Sequence, residues 1–188
     1  MAGWAWAGLT AVLAVAARFP YAEPFAGSVA LAAPALWMLL PALAIAHGGG
    51  LWLGFARPAP AARAALETAI LLAIVIVAAR WAPAASVPLS AGAITFQILA
   101  IAPAEEAFFR GWLQAGLRAR FGAPAAIAGS AAAFGLSHLA IQGTPAGLLT
   151  VFPGALFALA RERHGTLLTP ILLHAGANVA VLAWHAAT

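Results

Sequence analysis

Long apolar runs, separated by short connections rich in Gly and Pro, constrain this chain more than any other feature. Seven can be marked: about Gly3 to Phe19, Ser28 to Ala46, Ala64 to Trp81, Ser90 through Pro103 towards Arg118, Pro124 to Ile141, Pro145 to Ala160, and Thr166 to Trp184. Several approach the roughly 20 residues that a helix needs to cross the hydrocarbon core of a bilayer. A soluble domain carries about 25% charged residues. Here the charged fraction of the 188 residues is 7% and the hydrophobic fraction 64%, too little polar surface to coat a globule. The expectation is an all-α, polytopic transmembrane helical bundle of about seven spans, forming a single membrane domain over 1–188.

The connections leave no room for a second soluble domain. His47-Gly48-Gly49-Gly50 breaks the pattern after the second run, and Leu51 to Arg63, with its Trp and Pro residues, reads as an interfacial segment. No internal repeat supports an inverted-repeat transporter. The first run has no positive region before it, so a retained helix is expected rather than a cleaved signal peptide. With no Cys, disulfides and thiolate metal sites are excluded. Every basic residue is Arg. Arg57, Arg63, Arg118, Arg120, Arg161 and Arg163 fall on one side of a seven-span topology, and Arg18 and Arg80 on the other. That imbalance predicts a cytoplasmic N-terminus, in an inner membrane if the source is bacterial. Spread in pairs between apolar runs, the arginines form no basic stripe, which excludes nucleic acid as a partner. His47, His164 and His185, with Trp4, Trp6, Trp52, Trp81 and Trp184, lie near the ends of runs and read as ordinary interfacial residues.

Ionisable groups inside the runs are a different matter, because a charge at mid-membrane costs several kcal/mol unless paired or hydrated. The densest group is Pro103-Ala104-Glu105-Glu106-Ala107-Phe108-Phe109-Arg110. Adjacent glutamates on a helix point about 100° apart and cannot share one environment. Glu106 and Arg110 have the acid four residues N-terminal to the base, the favourable order for an ion pair. That pairing leaves Glu105 to face the interior as a candidate general base. Phe134-Gly135-Leu136-Ser137-His138 lies late in the fifth run, and His174 and Asn178 share a helix face in the seventh. Each of these motifs alone has a bland reading as a helix-joining contact.

Depth argues for a cluster. At ~1.5 Å per residue, Glu105 stands ~20 Å above Arg118, His138 ~21 Å above Pro124 and Asn178 ~20 Å above Gly165, with His174 lower at ~14 Å. Polar groups on three helices thus approach one level in a core ~30 Å thick.

At these residues the chain resembles the CAAX prenyl protease and bacteriocin-processing (CPBP) family of intramembrane endopeptidases, over about 98–182. The resemblance rests on Glu105-Glu106 with Arg110, Phe134 with His138, and His174 with Asn178, in that order, and on the flanks Phe109-Arg110-Gly111 and Leu172-Leu173-His174. It implies that Glu105 and His138 activate a water, that His174 and Asn178 stabilise the oxyanion, and that Glu106 and Arg110 support the site. No cofactor is expected; the alternative is a zinc held by Glu105, His138 and His174. The implied partners are the lipid bilayer and a membrane-anchored protein or peptide substrate. The segment from Val151-Phe152-Pro153 to Arg161-Glu162-Arg163 resembles a bacterial subgroup that trims C-terminal sorting tails. The rival from another class is a non-proteolytic membrane protein, a small transporter or an immunity or scaffold protein, that reuses the bundle.

Overall fold

A computed structural model of the chain describes residues 61–78, 80, 89–142 and 144–187. The first two apolar runs, the break at His47 to Gly50, most of the interfacial segment, and Arg18, Arg57, His47, Trp4, Trp6, Trp52 and Trp81 lie outside the described residues. Among those described, the secondary structure is all helical. Helix α1 is Ala61–Ala78, α2 spans 91–121, α3 is Ala123–Gln142, α4 is Val151–His164 and α5 is Leu168–Ala187.

The sequence explains where these helices start and stop. Ser90 is extended, and its hydroxyl accepts the N–H of Ala93 at 3.0 Å, capping α2. Gly122 and Gly165 follow α2 and α4 with φ of 82° and 65°, a region that favours glycine, and their N–H groups bond the carbonyls of Arg118 and Arg161. Within α2 two π-helical stretches, Gln97–Ile101 and Ala107–Leu113, bracket the α-helical Ala102–Glu106. The N–H of Ala102 reaches back five residues to the carbonyl of Gln97, and that of Gln114 to Phe109. Pro103 would clash with the carbonyl four residues before it in a regular helix. The widened turn that precedes it relieves this. Such π stretches are often found at functional sites.

The sixth apolar run is not one helix. It divides into a 3-10 segment, Pro145–Thr150, and the 14-residue α4. At ~1.5 Å per residue α4 reaches only ~21 Å, short of the ~30 Å core. Among the described residues, two helices have the length and apolarity to span a membrane, within α3 at Ala123–Ala140 and along α5 at Leu168–Ala187. Helix α2 is long enough but carries Glu105, Glu106 and Arg110 inside its apolar part.

Helix α3 packs against α2 and α4, and α5 against α1, α4 and the middle of α2. One apolar cluster joins Phe108, Phe109 and Leu113 of α2 to Ala133 and Phe134 of α3. A second joins Val75, Phe157, Ala160 and Leu173 across α1, α4 and α5. The outside is apolar too. Leu99, Phe152 and Leu66 are 72%, 68% and 62% exposed. A surface this apolar fits a chain whose solvent is lipid.

Candidate functional site

Glu105 and Glu106 sit on the short α-helical piece of α2, both buried, and the pairing expected of Glu106 is present. Arg110 Nη1 donates to Glu106 Oε1 at 3.1 Å with both side chains fully buried. Its Nη2 donates to the carbonyl of Gly154 on α4 at 2.8 Å. The guanidinium carbon lies 4.5 Å from the ring centre of Phe134, 5.4 Å from Phe157 and 5.7 Å from Phe109. Cation–π contacts and the carbonyl add to the ion pair what a buried charge needs to offset its desolvation.

His174 bridges the two glutamates. Its Nδ1–H donates to Glu106 Oε1 at 2.7 Å, and its Nε2 is 3.7 Å from Glu105 Oε2. The ring stacks on Phe157 and meets Phe134 edge to face. Two carboxylates and one guanidinium thus meet around one imidazole. Both Glu105 Oε2 and Glu106 Oε2 are buried without a hydrogen-bond partner among the described residues. This end of the cluster therefore retains acceptor capacity facing inward.

The depth estimate needs correction here. It set Asn178 level with Glu105 and His174 lower, yet it is His174 that stands in near contact with Glu105. Asn178 Nδ2 donates to Gln97 Oε1 at 2.7 Å, nearer the Ser90 end of α2. The π stretch Ala107–Leu113 lies between Glu105 and Arg118, and its wider turns rise less per residue than a regular helix, which accounts for part of the difference.

His138 completes the set differently. Its Nδ1–H donates to the carbonyl of Phe134 on its own helix at 3.0 Å, and the ring packs against Phe134. This fixes the tautomer and leaves Nε2 as the reactive nitrogen. Glu105, His174 and Arg110 are the charged groups near enough to act on it electrostatically. The side chain is only partly buried. Gly147 of the 3-10 segment rests on this point, since a Cβ there would come within 2.7 Å of the His138 carbonyl. Ser137 bonds back to the carbonyl of Ala133, inside α3.

Five polar contacts escaped the sequence reading. Gln97 holds Asn178. Ser130 Oγ donates to the carbonyl of Phe109 at 3.1 Å. Gln114 Nε2 donates to the carbonyl of Ala158 at 2.9 Å and to Glu162 Oε1 at 3.0 Å. Arg118 Nε donates to Glu162 Oε2 at 2.7 Å. Residues 106, 110, 114 and 118 thus form a polar stripe that meets 154, 158 and 162 across the α2–α4 seam. The four-residue spacing on both sides was the signal available in the sequence.

His164, read as interfacial, is buried instead. Its Nε2 lies 2.9 Å from Glu67 Oε2 on α1, and its Nδ1 lies 3.0 Å from Thr169 Oγ1 on α5. Glu67 also binds Arg163 through Nη2 at 2.8 Å. Trp184 is exposed, as an interfacial residue should be, with Arg80 over its ring at 5.9 Å.

Among the described residues no three His, Asp, Glu or Cys side chains are grouped as a metal-ligand set. The Nδ1–H groups of His138 and His174 are held by the Phe134 carbonyl and by Glu106, as the second nitrogen of a metal-ligating histidine also is, and His174 Nε2 lies 3.7 Å from Glu105 Oε2.

Compared with known proteins, residues 87–180, half of the chain, match the family described as type II CAAX prenyl endopeptidase, Rce1-like. That stretch contains Glu105, Glu106, Arg110, His138, His174 and Asn178. No curated protein and no solved structure matches the chain.

Proposed function

The chain belongs to the Rce1-like type II CAAX prenyl endopeptidase family, and on that premise we propose that it hydrolyses a peptide bond of a membrane-anchored protein or peptide with a water activated by Glu105 and His138. Family membership and the two long apolar helices make it an integral membrane protein of a protease family. The observation that carries the finer reading is the bridging of Glu105 and Glu106 by His174, with Glu105 Oε2 left as a buried acceptor.

The chemistry follows from which atoms are already engaged. Glu106 is held by Arg110 and His174 and serves to orient. Glu105 Oε2, unpartnered, accepts a proton from water as its oxygen bonds the peptide carbon. His138 Nε2, left available by the bond at Nδ1, positions that water. The oxyanion that develops takes hydrogen bonds from His174 Nε2–H, in the protonated ring, and from the second N–H of the Asn178 amide. The proton on Glu105 then passes to the leaving nitrogen as the C–N bond breaks. No step is routed through a metal. A bacterial inner membrane and a substrate with a short C-terminal anchor are the setting this reading adopts.

Glu105→Gln keeps the shape and removes the base. In liposomes with a candidate membrane-anchored substrate, it should lower the cleavage rate by about 10²- to 10⁴-fold, the usual worth of general acid–base catalysis. Cleavage at the wild-type rate would refute the role given to Glu105. Activity abolished by chelator and restored by zinc would refute the metal-free chemistry. Purified protein that cleaves no membrane-anchored peptide in either form would favour the non-proteolytic alternative.

A further inference from the structure

The C-terminal halves of α2 and α4 enclose a cavity of about 330 Å³, lined by Arg110, Gln114, Arg118, Ala119, Arg161 and Glu162 among others. We infer that this cavity is a binding site for the headgroup of an anionic phospholipid, with the phosphate on the arginines. With Arg110 balanced by Glu106, Arg118 and Arg161 meet the single carboxylate of Glu162 at its wall, so the lining keeps a net positive charge. Arg118 engages Glu162 through Nε alone, and its two terminal amino groups make no hydrogen bond among the described residues. The side chain is 61% exposed, at the mouth rather than the floor. Gln114 is 1% exposed, and its Oε1 is a buried acceptor without a partner. An occupant carrying both an anion and a hydroxyl, such as a phosphoglycerol headgroup, would meet both needs.

Size and position agree with this assignment. A water molecule's share of volume is about 30 Å³, so the cavity has room for roughly ten groups of that size. It lies at the charged end of the bundle, where Arg118, Arg120 and Arg163 gather and where the exposed Phe121 offers an apolar surface for acyl chains. Basic pockets between helices at a membrane face are a recurrent form of headgroup site. The dipoles of α2 and α4 favour arginines in their last turns. That accounts for cations on each helix but not for a cavity between them. Arg110 belongs both to the cavity wall and to the pair with Glu106, so an occupant lies one guanidinium away from the glutamates.

The test uses the full chain and needs no cleavage assay, so its result stands apart from the peptidase reading. Protein in nanodiscs of phosphatidylcholine, with or without phosphatidylglycerol, is released and its retained lipid is counted by native mass spectrometry. Wild type should retain phosphatidylglycerol in preference to phosphatidylcholine. Ala119 is exposed, so Ala119→Asp adds a negative charge at the lip without filling a packed core. It should weaken retention about fivefold, and Arg118→Gln by a similar factor, at the usual worth of one charge near a membrane surface. Ala119→Asn, equal in size and neutral, should retain lipid as wild type does. Retention that ignores the Asp substitution, or equal retention of both lipids, would overturn the inference. Displacement of phosphatidylglycerol by inorganic phosphate at matching concentration would overturn the lipid as occupant, leaving a free phosphate in its place.

Discussion

Two buried histidines, His174 and His164, sit in clusters built from almost the same parts, and the contrast between them separates a site from a strut. His164 has a partner at each ring nitrogen, Thr169 and Glu67, and Glu67 is shared with Arg163. That cluster ties α1 to the α4–α5 turn. His174 instead has a carboxylate at each nitrogen, and one of them, Glu105, stands off at 3.7 Å and keeps a buried oxygen unpartnered. Residue type does not distinguish the two clusters; the saturation of their hydrogen bonds does.

The sharpest way to break the comparison is to make the same change in both clusters. Glu105→Gln should abolish most of the hydrolysis and leave thermal stability near wild type. Glu67→Gln should do the reverse, with stability in detergent falling by about 1–3 kcal/mol and turnover retained. Loss of turnover in a well-folded Glu67→Gln protein would show that the second cluster is not a mere tie. Arg110→Met comes next. It leaves Glu106 buried with only His174 as partner, and truncating one member of a buried pair costs about 3–5 kcal/mol. A melting temperature unchanged from wild type would mean that His174 alone can carry the charge of Glu106.

Smaller effects probe the edges of the site. Gly147→Ala places a methyl against the backbone of His138, and overpacking of this kind costs about 1–3 kcal/mol. The displacement should lower turnover as well, which a cleavage assay on the folded variant would detect. The smallest effect is expected between Gln97 and Asn178. A double-mutant cycle with Ala should give a coupling of about 0.6 kcal/mol, typical of polar contacts between membrane helices. A coupling of zero would remove Gln97 from the account of Asn178.

What could be read from the sequence was local. The Glu106–Arg110 pair follows from a four-residue offset on one helix, and four turns of polar spacing along α2 were equally visible, although Gln114 was passed over. The meeting of His174 with Glu106 was not visible, because those residues are 68 apart in the chain and their contact depends on how α2 and α5 dock. Depth counting set His174 below Glu105, and neither the docking of α5 on α2 nor a π stretch leaves a trace in hydropathy. His164 was misjudged for a related reason. Its place near the end of a run says nothing about whether α1 will cover it. The sixth run shows the limit of apolarity itself, for Pro145 to Thr150 is apolar enough to continue a helix and instead forms a 3-10 segment over α3.

The π stretches make the residue count of α2 part of its shape. Along Ala107–Leu113 the chain holds more residues per turn than a regular helix. Removing one residue there would let the backbone tighten to the commoner form at no cost in apolarity. The half bearing Glu105 and Glu106 would then keep nearly its direction relative to the half bearing Gln114 and Arg118, because each α-helical residue turns the chain by about 100° and each π residue by less. Every motif letter except the spacing to Arg110 could survive such an edit. In an alignment, a one-residue gap at this place would thus mark a helix that has lost its wide turn while both glutamates still face His174.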